Sequence, residues 1–540
     1  MSMTEGKRYS TSGIPLSGHY TPEDIKDMDY SQDLGNPGEY PFTRGIFPLG
    51  YRKYVWQNAQ ISGYGLPEEA NAREKYLLQK GQISFEGRAS INFAFDNVCQ
   101  NGYNSDHPLG KYEVGTGGIF INCLQDAELL FDGFDLTNLN VGFIIDTPGP
   151  IILAIYLALA DRWGVPWDRL RGIVCNSPWR RYYTGTTLCF PPEHALRVAA
   201  DCIVWSAKNV PNFNTNSLNG YDSREGGATA AQEMTIAISP AIEVAQKCIS
   251  MGGDVDEFIP NFNFFLSFHN NFFEEIAKIR AGRRLWAKIV REKLGAKKDK
   301  SCWMKVHLQT AGCTLTAQEP LNNIARVAIQ CLGACISGVQ SISTDSYDEA
   351  ISLPSEETVR VALKTQKIIE HESGLPDVVD PLGGSYYVEY LTTEMEKTIQ
   401  EYLDKIEAMG GFTKAIQSGY METEVANAAL KFQREVEGGQ RVIVGVNKYV
   451  ENEPVSVKPF RVNPRVREIE TERLRRWHQE RDNQKVREAL EGIREAAIKD
   501  EILMPRYVEA ARLGATLGEM MDVLKSVFGV YKPKNLLGTI

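Results

Sequence analysis

Polar side chains that could hold a ligand stand at the end of a short apolar run. The run begins at Val306 and reaches a polar tip that carries His307 and Gln309. A loop of small residues follows, and an amphipathic stretch comes after it, up to Arg326. This pattern predicts a strand, a loop and a helix, with polar groups at the C-terminal end of the strand. Ligands bind at that end in parallel α/β folds.

The elements that must position these residues alternate along most of the chain. Strand-like segments and helix-like segments follow one another from about residue 41 to 450. The strand-like segments include Val141–Ile145, Gly172–Val174 and Val442–Val446, and the helix-like segments include Ile151–Trp163 and Pro192–Lys208. Such alternation predicts a parallel sheet with helical crossovers. The length allows eight units with insertions, so we predict an α/β fold, a (β/α)8 TIM barrel.

The two ends of the chain have a different character. Residues 1–40 are polar, with little periodicity, and predict an extended arm that could wrap a partner. Near the other end, 465–499 is dense in Glu and Arg, and an apolar stripe predicts a long helix or a helix pair. The stripe consists of Leu474, Trp477, Val486, Leu490 and Ile493. A second helix is predicted after Gly514–Gly518, ending near Phe528. This C-terminal helical extension is either a solvated layer packed on the barrel or a docking element.

Composition narrows the class of protein. The 540 residues allow a large core and more than one domain, and the net charge of −10 argues against a nucleic-acid partner. No apolar run reaches the ~18–20 residues of a membrane span, and the N-terminus lacks the apolar stretch of a signal peptide. We therefore expect a cytoplasmic protein with no membrane partner.

Cysteine and histidine spacing gives no sign of a metal site. The ten cysteines form no Cys-x-x-Cys pair, and the seven histidines contain no His-x-x-x-His pair. Cys331 and Cys335 are four residues apart on a predicted helix, so they share a face of it. We predict that both are buried there as small hydrophobic residues. The chain also lacks the Ser/His/Asp spacing and the phosphate loop of other barrel enzymes, which argues against a hydrolase or aldolase.

Five segments give the chain a family resemblance. They are Pro41–Gly45, Arg280–Ala287, His307–Asn323, Asp380–Ser385 and Val442–Tyr449. With these motifs in this order, the chain resembles the large, substrate-binding subunit of the adenosylcobalamin-dependent acyl-CoA mutases, the methylmalonyl-CoA mutase family. The resemblance implies a TIM barrel in which the acyl-CoA lies along the barrel axis and cobalamin caps one end. It assigns 1–40 to the arm, 41–450 to the barrel and 451–540 to a C-terminal linker and docking region.

One family motif is missing. The histidine that ligates cobalt in this family lies in an Asp-x-His-x-x-Gly motif, and none of the seven histidines has that context. The chain reaches Phe528 about where the cobalamin domain begins in a one-chain mutase. We therefore expect a separate small cobalamin-binding subunit, in a hetero-oligomer such as a heterotetramer, and no metal ligand in this chain.

The resemblance implies roles for individual residues. Positions facing the reacting groups are Tyr221, Asp222, Cys175, Ile61 and Gly185. Cofactor-binding positions are Glu225, Glu349, Gln309, Gln340, Gly117 and Gly63. Substrate-binding positions are Lys300, His307, Asn92, Arg180 and Arg181. In this family an adenosyl radical abstracts hydrogen from the substrate, so carboxylates at Glu225 and Glu349 would hold the adenosyl ribose while the protein excludes water.

The substrate pocket departs from that of methylmalonyl-CoA mutase at four positions. Gly185 replaces the arginine that pairs with the substrate carboxylate, and Ile61 replaces a tyrosine that covers the reacting carbons. Cys175 replaces a glutamine, and Asp222 replaces the histidine that binds the thioester carbonyl. Glycine cannot pair with a carboxylate, so methylmalonyl-CoA is not the expected substrate.

Three of these changes remove bulk and indicate a wider, more apolar pocket. We expect a bulky acyl-CoA whose acyl group carries an aryl or alkyl substituent. The acyl group would be of succinyl type if it also carries a carboxylate, which Arg180, Arg181 or Arg52 could reach. Asp222 could accept a hydrogen bond from the substrate or, when protonated, donate one to the thioester. The alternatives are a mutase for a small branched or hydroxylated acyl-CoA, of isobutyryl or 2-hydroxyisobutyryl type, and a non-catalytic family member. Tyr54 stands where the family has a CoA-binding arginine, so CoA contacts there can differ.

Overall fold

The computed structural model describes residues 8–83, 87–184, 189–451 and 457–532. Its strands are β1 (Arg8–Tyr9), β2 (Pro15–Leu16), β3 (Gln57–Asn58), β4 (Ala89–Ala94), β5 (Leu139–Ile144), β6 (Arg171–Val174), β7 (Phe213–Asn214), β8 (Asn216–Asn219), β9 (Phe262–Phe268), β10 (Val306–Thr310) and β11 (Ser341–Ser343). Its α-helices are α1 (Pro67–Gln79), α2 (Asn97–Gln100), α3 (Leu124–Phe131), α4 (Gly149–Arg162), α5 (Arg180–Tyr183), α6 (Pro192–Asn209), α7 (Tyr221–Glu225), α8 (Ala230–Ser250), α9 (Val255–Phe258), α10 (Phe272–Lys288), α11 (Asn322–Ile336), α12 (Glu356–Glu372), α13 (Tyr386–Ala408), α14 (Phe412–Ser418), α15 (Tyr420–Glu437), α16 (Val466–Glu480), α17 (Asn483–Ile498), α18 (Met504–Arg512) and α19 (Leu517–Phe528). None of the described helices is long and apolar enough to cross a membrane.

The chain forms two compact units, each assembled from three segments. Unit 1 comprises Met1–Gln57, Asn219–Glu243 and Phe264–Pro459. Unit 2 comprises Asn58–Leu218, Val244–Asn263 and Phe460–Ile540. The division into an arm, a barrel and a C-terminal region stays a prediction.

The strands of unit 1 separate apolar residues from polar residues. Strands β9, β10 and β11 pair in parallel, and the register places Leu308 beside Leu266 and Ile342. These side chains, with those of Phe264 and Val306, are fully buried. Alternation along each strand sends the neighbouring residues to the opposite face. Helix α10 packs against α13 and α11, which gives this unit its helical layer.

Unit 2 has the same arrangement. Strands β4, β5, β6 and β7 pair in parallel, in that order. Ile91, Phe93, Val141 and Phe143 are fully buried on one face. Helix α4 is apolar on almost every side and packs against α18, α3 and α6, so it is a core helix rather than a surface helix.

The predicted α/β class is confirmed. If β7 and β8 count as one strand interrupted at Thr215, the strands from β3 to β11 occupy eight positions along the chain, with helices between them. This succession is consistent with the predicted (β/α)8 barrel. Strand β10 and helix α11 confirm the predicted strand, loop and helix, and Cys331 and Cys335 are both buried on α11.

The ends of the chain partly match expectation. The helix pair is confirmed as α16 and α17, and α19 confirms the helix that ends at Phe528. The arm is anchored within unit 1: Glu274 accepts hydrogen bonds from the N–H and Oγ1 of Thr11 (3.1 and 2.6 Å) and from the N–H of Ser12 (2.8 Å). The ring of Tyr20 lies 4.9 Å from the ring of Tyr387. A contact between the arm and a partner stays a prediction.

The predicted strand at Val442–Val446 is wrong. This segment is a surface turn, in which Asn447 Oδ1 accepts the Ile443 N–H (2.7 Å) and Gly445 has a φ of 80°. Val444 is exposed. A local side-chain hydrogen bond and a left-handed glycine stabilise a turn in a sequence whose apolar residues favour a strand.

Candidate active site

The second face of the unit 1 sheet is polar. The register puts His307 between Phe265 and Ser341, and it puts Gln309 between Ser267 and Ser343. A (β/α)8 barrel usually fills such positions with branched apolar side chains. Hydroxyl, imidazole and amide groups at these positions can hydrogen-bond a ligand instead.

Three side chains converge on Gly312, in the loop after β10. A Cβ placed on this glycine would lie 3.1 Å from Glu225 Oε2, 3.5 Å from Tyr221 Oη and 3.7 Å from Glu349 Cγ. Helix α7 supplies Tyr221 and Glu225, and the loop after β11 supplies Glu349. The segments that follow β8, β10 and β11 therefore meet around one glycine. We call Glu225, Asp345 and Glu349 the carboxyl cluster.

Glu225 has one satisfied oxygen and one free oxygen. Its Oε2 accepts the Cys313 N–H (2.7 Å), whereas its Oε1 is buried and has no hydrogen-bond partner. Burial raises the pKa of Glu225 to about 7, and the carboxyls of Asp222 and Glu349 add to the rise. A buried oxygen without a partner costs free energy. A ligand hydroxyl that donates to Oε1 would remove that cost.

Asp345 was missed by the sequence reasoning. Its Oδ1 accepts from Gln309 Nε2 (2.7 Å) and its Oδ2 accepts from Thr310 Oγ1 (2.9 Å). Burial raises its pKa to about 7. Burial and the neighbouring Asp345 likewise raise the pKa of Glu349 to about 8, although the Glu349 side chain keeps solvent access. Asp345 thus orients the Gln309 amide. The signal that could have found it is an acidic residue two positions after the end of β11, a strand that the sequence reasoning did not predict.

Neutral aromatic groups adjoin the carboxyl cluster. The Tyr221 ring stacks on Phe265 (4.9 Å, 9°), and the Phe265 ring meets His307 edge-on (4.9 Å). His307 Nδ1 hydrogen-bonds Ser341 Oγ (2.8 Å), and its buried Nε2 has no partner. Burial lowers the pKa of His307 to about 4, so the imidazole is neutral at physiological pH. Asp222 is half-buried on α7, and its N–H donates to Asn219 Oδ1 (3.2 Å).

The stability of the isolated chain is expected to fall as pH rises from about 5 to about 8. Asp345 and Glu225 have a pKa near 7 in the folded state and an ordinary value near 4 when unfolded, so the folded state holds more protons in this window. We expect a loss of about 1 kcal/mol or more for each carboxyl. Urea unfolding at both pH values measures it. Asp345→Asn should shrink the difference, and a flat or rising profile would contradict the prediction.

Two predicted ligand residues lie at the other end of the strands. Gln340 Oε1 accepts the Val306 N–H (2.8 Å), and Gln340 Nε2 donates to Gly338 O (3.2 Å). Lys300 is exposed in the turn before β10. Arg52, which also lies in unit 1, is exposed. The structure therefore does not bring Gln340 or Lys300 to the carboxyl cluster, and it leaves them at the N-terminal ends of β10 and β11.

In unit 2, three predicted pocket residues share one face of the sheet. Ser62 pairs in parallel with Phe93 on the apolar face, so Ile61 belongs to the opposite face together with Asn92. Cys175 continues β6 two residues after Ile173, which pairs with Gly142 opposite Asn92. Alternation puts Cys175 on that same face.

Glycines allow close approach on this face. A Cβ on Gly142 would lie 2.4 Å from Asn92 Oδ1, and a Cβ on Gly63 would lie 2.4 Å from the carbonyl oxygen of Ala94. Gly117 faces open space, because no heavy atom lies within 4 Å of its Cβ position. Gly63 and Gly142 therefore let the backbone and Asn92 pack closely, whereas Gly117 is exposed in a loop. Gly185 lies outside the described residues.

Two of the three arginines proposed for a substrate carboxylate, Arg180 and Arg181, already have partners. Arg180 is buried, pairs with Asp146 and donates from Nη2 to Gln100 Oε1 (3.0 Å). Arg181 Nη2 donates to Asn97 Oδ1 (3.0 Å). A substrate carboxylate would have to compete with Asp146 for the charge of Arg180, which makes that role less favourable than the sequence indicated.

A buried charge quartet holds helix α7 in place. It consists of Arg224, Glu233, Glu275 and Lys278, all nearly inaccessible to solvent. Lys278 Nζ donates to Glu233 Oε2 (2.6 Å) and to the Ser267 carbonyl (2.7 Å), and Arg224 Nη2 donates to Glu275 Oε1 (2.9 Å). Two cations balance two anions, as buried charges require. Because Arg224 lies on α7 and Ser267 lies on β9, the quartet fixes the helix that carries part of the carboxyl cluster.

Comparisons with known proteins identify the family of the chain. The family model described as methylmalonyl-CoA mutase matches residues 9–530. The 2-hydroxyisobutanoyl-CoA mutase large subunit of Aquincola tertiaricarbonis is 39% identical, over 97% of this chain and 93% of that protein. Methylmalonyl-CoA mutase of Rhizobium meliloti and the mitochondrial methylmalonyl-CoA mutase of Homo sapiens are each 36% identical over 97% of this chain, and the matches cover 72% and 69% of those proteins. The chain belongs to the methylmalonyl-CoA mutase family, whose members are adenosylcobalamin-dependent isomerases.

Proposed function

We propose that this chain is the large subunit of an adenosylcobalamin-dependent mutase that rearranges the carbon skeleton of an acyl-CoA larger than methylmalonyl-CoA. One observation carries the proposal: Ile61 and Cys175 share a sheet face with Asn92. A pocket for a small polar acyl group would need larger, hydrogen-bonding side chains at these two positions. Ile61 is smaller than the tyrosine, and Cys175 is smaller than the glutamine, that methylmalonyl-CoA mutase has at these positions, so the space is larger and more apolar. An aryl- or alkyl-substituted acyl group would fill that space.

The residues of unit 1 fit the adenosyl group of the cofactor. Glu225 Oε1 is buried and unpaired, and Gly312 leaves a cradle that a Cβ would occupy. The Glu225 and Glu349 carboxylates would accept hydrogen bonds from the ribose hydroxyls. The Gln309 amide, which Asp345 orients, would hold the adenosyl group from the side. When bound, adenosylcobalamin supplies the radical chemistry that the side chains lack.

Neutral groups would orient the acyl-CoA. His307 is uncharged and offers a free Nε2, which can hydrogen-bond the thioester or the adjoining chain without a proton-transfer step. Tyr221 is stacked on Phe265, so its phenol is held in one orientation. Asp222 lies beside Tyr221 on α7 and would contact the acyl portion. These groups bind and orient, and they shield the reacting carbons from water.

A second candidate is a small hydroxylated acyl-CoA. The relative from Aquincola tertiaricarbonis is named for 2-hydroxyisobutanoyl-CoA, and Asp222 supplies a half-buried carboxylate that can accept a hydrogen bond from a substrate hydroxyl. Because that relative is named a large subunit, we also propose a small cobalamin-binding partner and a hetero-oligomer for this chain. A cytoplasmic location goes with this proposal.

The deciding experiment is reconstitution with a small cobalamin-binding subunit. The complex, loaded with adenosylcobalamin, is supplied with aryl-substituted, alkyl-substituted, 2-hydroxyisobutanoyl and methylmalonyl-CoA in turn, and isomers are detected by mass spectrometry. Turnover of a bulky acyl-CoA supports the first candidate, and turnover of 2-hydroxyisobutanoyl-CoA alone supports the second. Preferential turnover of methylmalonyl-CoA would refute both.

The isolated chain is expected not to bind adenosylcobalamin tightly. None of its seven histidines lies in an Asp-x-His-x-x-Gly motif, so a histidine that holds cobalt would come from the partner. Titration followed by absorbance should show no saturation at micromolar cofactor, and addition of the small subunit should restore it. Saturation at micromolar cofactor without a partner would show that this chain holds the whole binding site.

A further inference from the structure

Unit 1 contains a cleft that the proposed function does not use. Its volume is ≈ 850 Å³, within the range of small-molecule sites. The segment Tyr9–Gly13 forms one wall, and helix α15 and the loop Gln440–Val442 form the other. Among the described residues that line it, none belongs to the carboxyl cluster. The cleft is therefore separate from the candidate active site.

The lining of the cleft is cationic. Lys431, Arg441 and Arg224 face one acid, Glu435. Arg441 Nη2 donates to Glu435 (2.7 Å), and Arg224 is held by the buried quartet. Lys431 makes no ion pair with any residue that the structure describes. The unbalanced positive charge of Lys431 favours an anionic ligand.

A buried polar atom in the cleft has no partner. His269 is 9% exposed, and its Nδ1 has no hydrogen-bond partner. Burial and the nearby Arg224 lower the pKa of His269 well below its usual range, so the ring is neutral and one of its nitrogens carries a hydrogen. An unsatisfied buried group of this kind is typical of a site that a ligand completes.

Aromatic faces accompany the charges. The Phe432 ring lies under the Arg441 guanidinium (4.8 Å) and meets His269 edge-on (6.5 Å). Tyr9 lies in the opposite wall and is 55% exposed. Flat aromatic surfaces bind planar rings, and arginine and lysine bind phosphate. One class of ligand combines both features.

We propose that this cleft binds a nucleoside phosphate. Its phosphate would contact Lys431 and Arg441, and its base would lie against Phe432 or Tyr9. His269 Nδ1 would hydrogen-bond the ligand and so gain the partner that it lacks. This site is additional to the sites for acyl-CoA and for the adenosyl group.

The test uses the full chain and ADP in calorimetry without CoA, because CoA carries an adenosine diphosphate group of its own that the cleft would bind. The cleft variants then assign the ADP binding to this site. Arg441→Gln and Lys431→Gln should each weaken ADP binding by about tenfold or more, since each removes a charged hydrogen bond. His269→Leu keeps the side-chain volume but removes the nitrogen, and it should weaken binding as well.

Matched controls separate the cleft from general charge effects. Arg434→Gln lies on the same helix, and Lys364→Gln removes an exposed lysine on α12; neither residue lines the cleft. Both controls should bind ADP like the parent chain. Absence of ADP binding to the parent, or binding that the cleft variants retain in full, overturns the proposal. If His269→Leu fails to fold, the two charge variants decide.

Discussion

Replacement of Glu225 by alanine is expected to lower kcat by about 10- to 150-fold, with little change in the KM for acyl-CoA. Glu225 Oε1 is buried and unpaired, and Oε2 is already held by the Cys313 N–H. The free oxygen is thus the acceptor for a ribose hydroxyl. Without it the adenosyl group is misplaced relative to the substrate, which lowers the rate and leaves acyl-CoA binding intact. Steady-state kinetics of the reconstituted complex at saturating cofactor measures both constants.

The matched control is Glu401→Ala, which removes an exposed glutamate from α13 in the same unit. It should leave both constants unchanged. Glu349→Ala should behave like Glu225→Ala, because both side chains lie beside Gly312. If the Glu225→Ala complex had the same kcat as the parent complex, the assignment of this site to the cofactor would be wrong. An increase in KM alone would indicate that Glu225 binds the substrate instead of the cofactor.

Enlargement of Ile61 or Cys175 is expected to reduce turnover of a bulky native substrate by about 100-fold or more. The register places both side chains on the face of the unit 2 sheet that carries Asn92. Ile61→Tyr and Cys175→Gln add volume and a polar group there, so they exclude the acyl group. The variants should keep the fold, because the apolar side chains of Ile91, Phe93, Val141 and Phe143 pack on the opposite face. Turnover and thermal unfolding are compared with those of the parent chain.

The control is Ile498→Tyr, at an isoleucine that is 66% exposed in the same unit. It adds the same bulk at the surface and should change neither turnover nor stability. If Ile61→Tyr and Cys175→Gln both retained full turnover, the two residues would not line the acyl pocket. The case for a large substrate would then lose its structural support. A loss of folding in both variants would place them in the core instead.

Periodicity predicted those elements whose pattern has one interpretation. Helix α6 was predicted at Pro192–Lys208 and is observed at Pro192–Asn209, because its apolar stripe has one period and proline marks its start. The predicted strands at Val141–Ile145 and Gly172–Val174 correspond to β5 and β6. Buried parallel strands show continuous apolar character, which sequence alone reveals. Helix α18 was not predicted, since nine residues carry little periodic signal.

The site was predicted only where a motif identified it. Glu225 and Glu349 came from the family resemblance, and the structure brings both to Gly312. Asp345 was missed because its role depends on a hydrogen bond to Gln309, 36 residues away in the sequence. The ion pair between Arg180 and Asp146 was missed for the same reason, as it joins side chains 34 residues apart. Which distant residues become hydrogen-bond or ion-pair partners depends on the order of the strands in the sheet. That order cannot be derived from a single sequence.

The buried quartet limits how this part of the molecule can evolve. Loss of one member by single substitution would leave an uncompensated charge with almost no access to water, which destabilises a protein by about 3–5 kcal/mol. That is a large fraction of the free energy that keeps a typical domain folded. Arg224 and Glu275, or Lys278 and Glu233, are therefore expected to change together in descendants of this chain. Divergence around the neighbouring carboxyl cluster would then need two coincident mutations, so drift there would be slower than at the exposed surface.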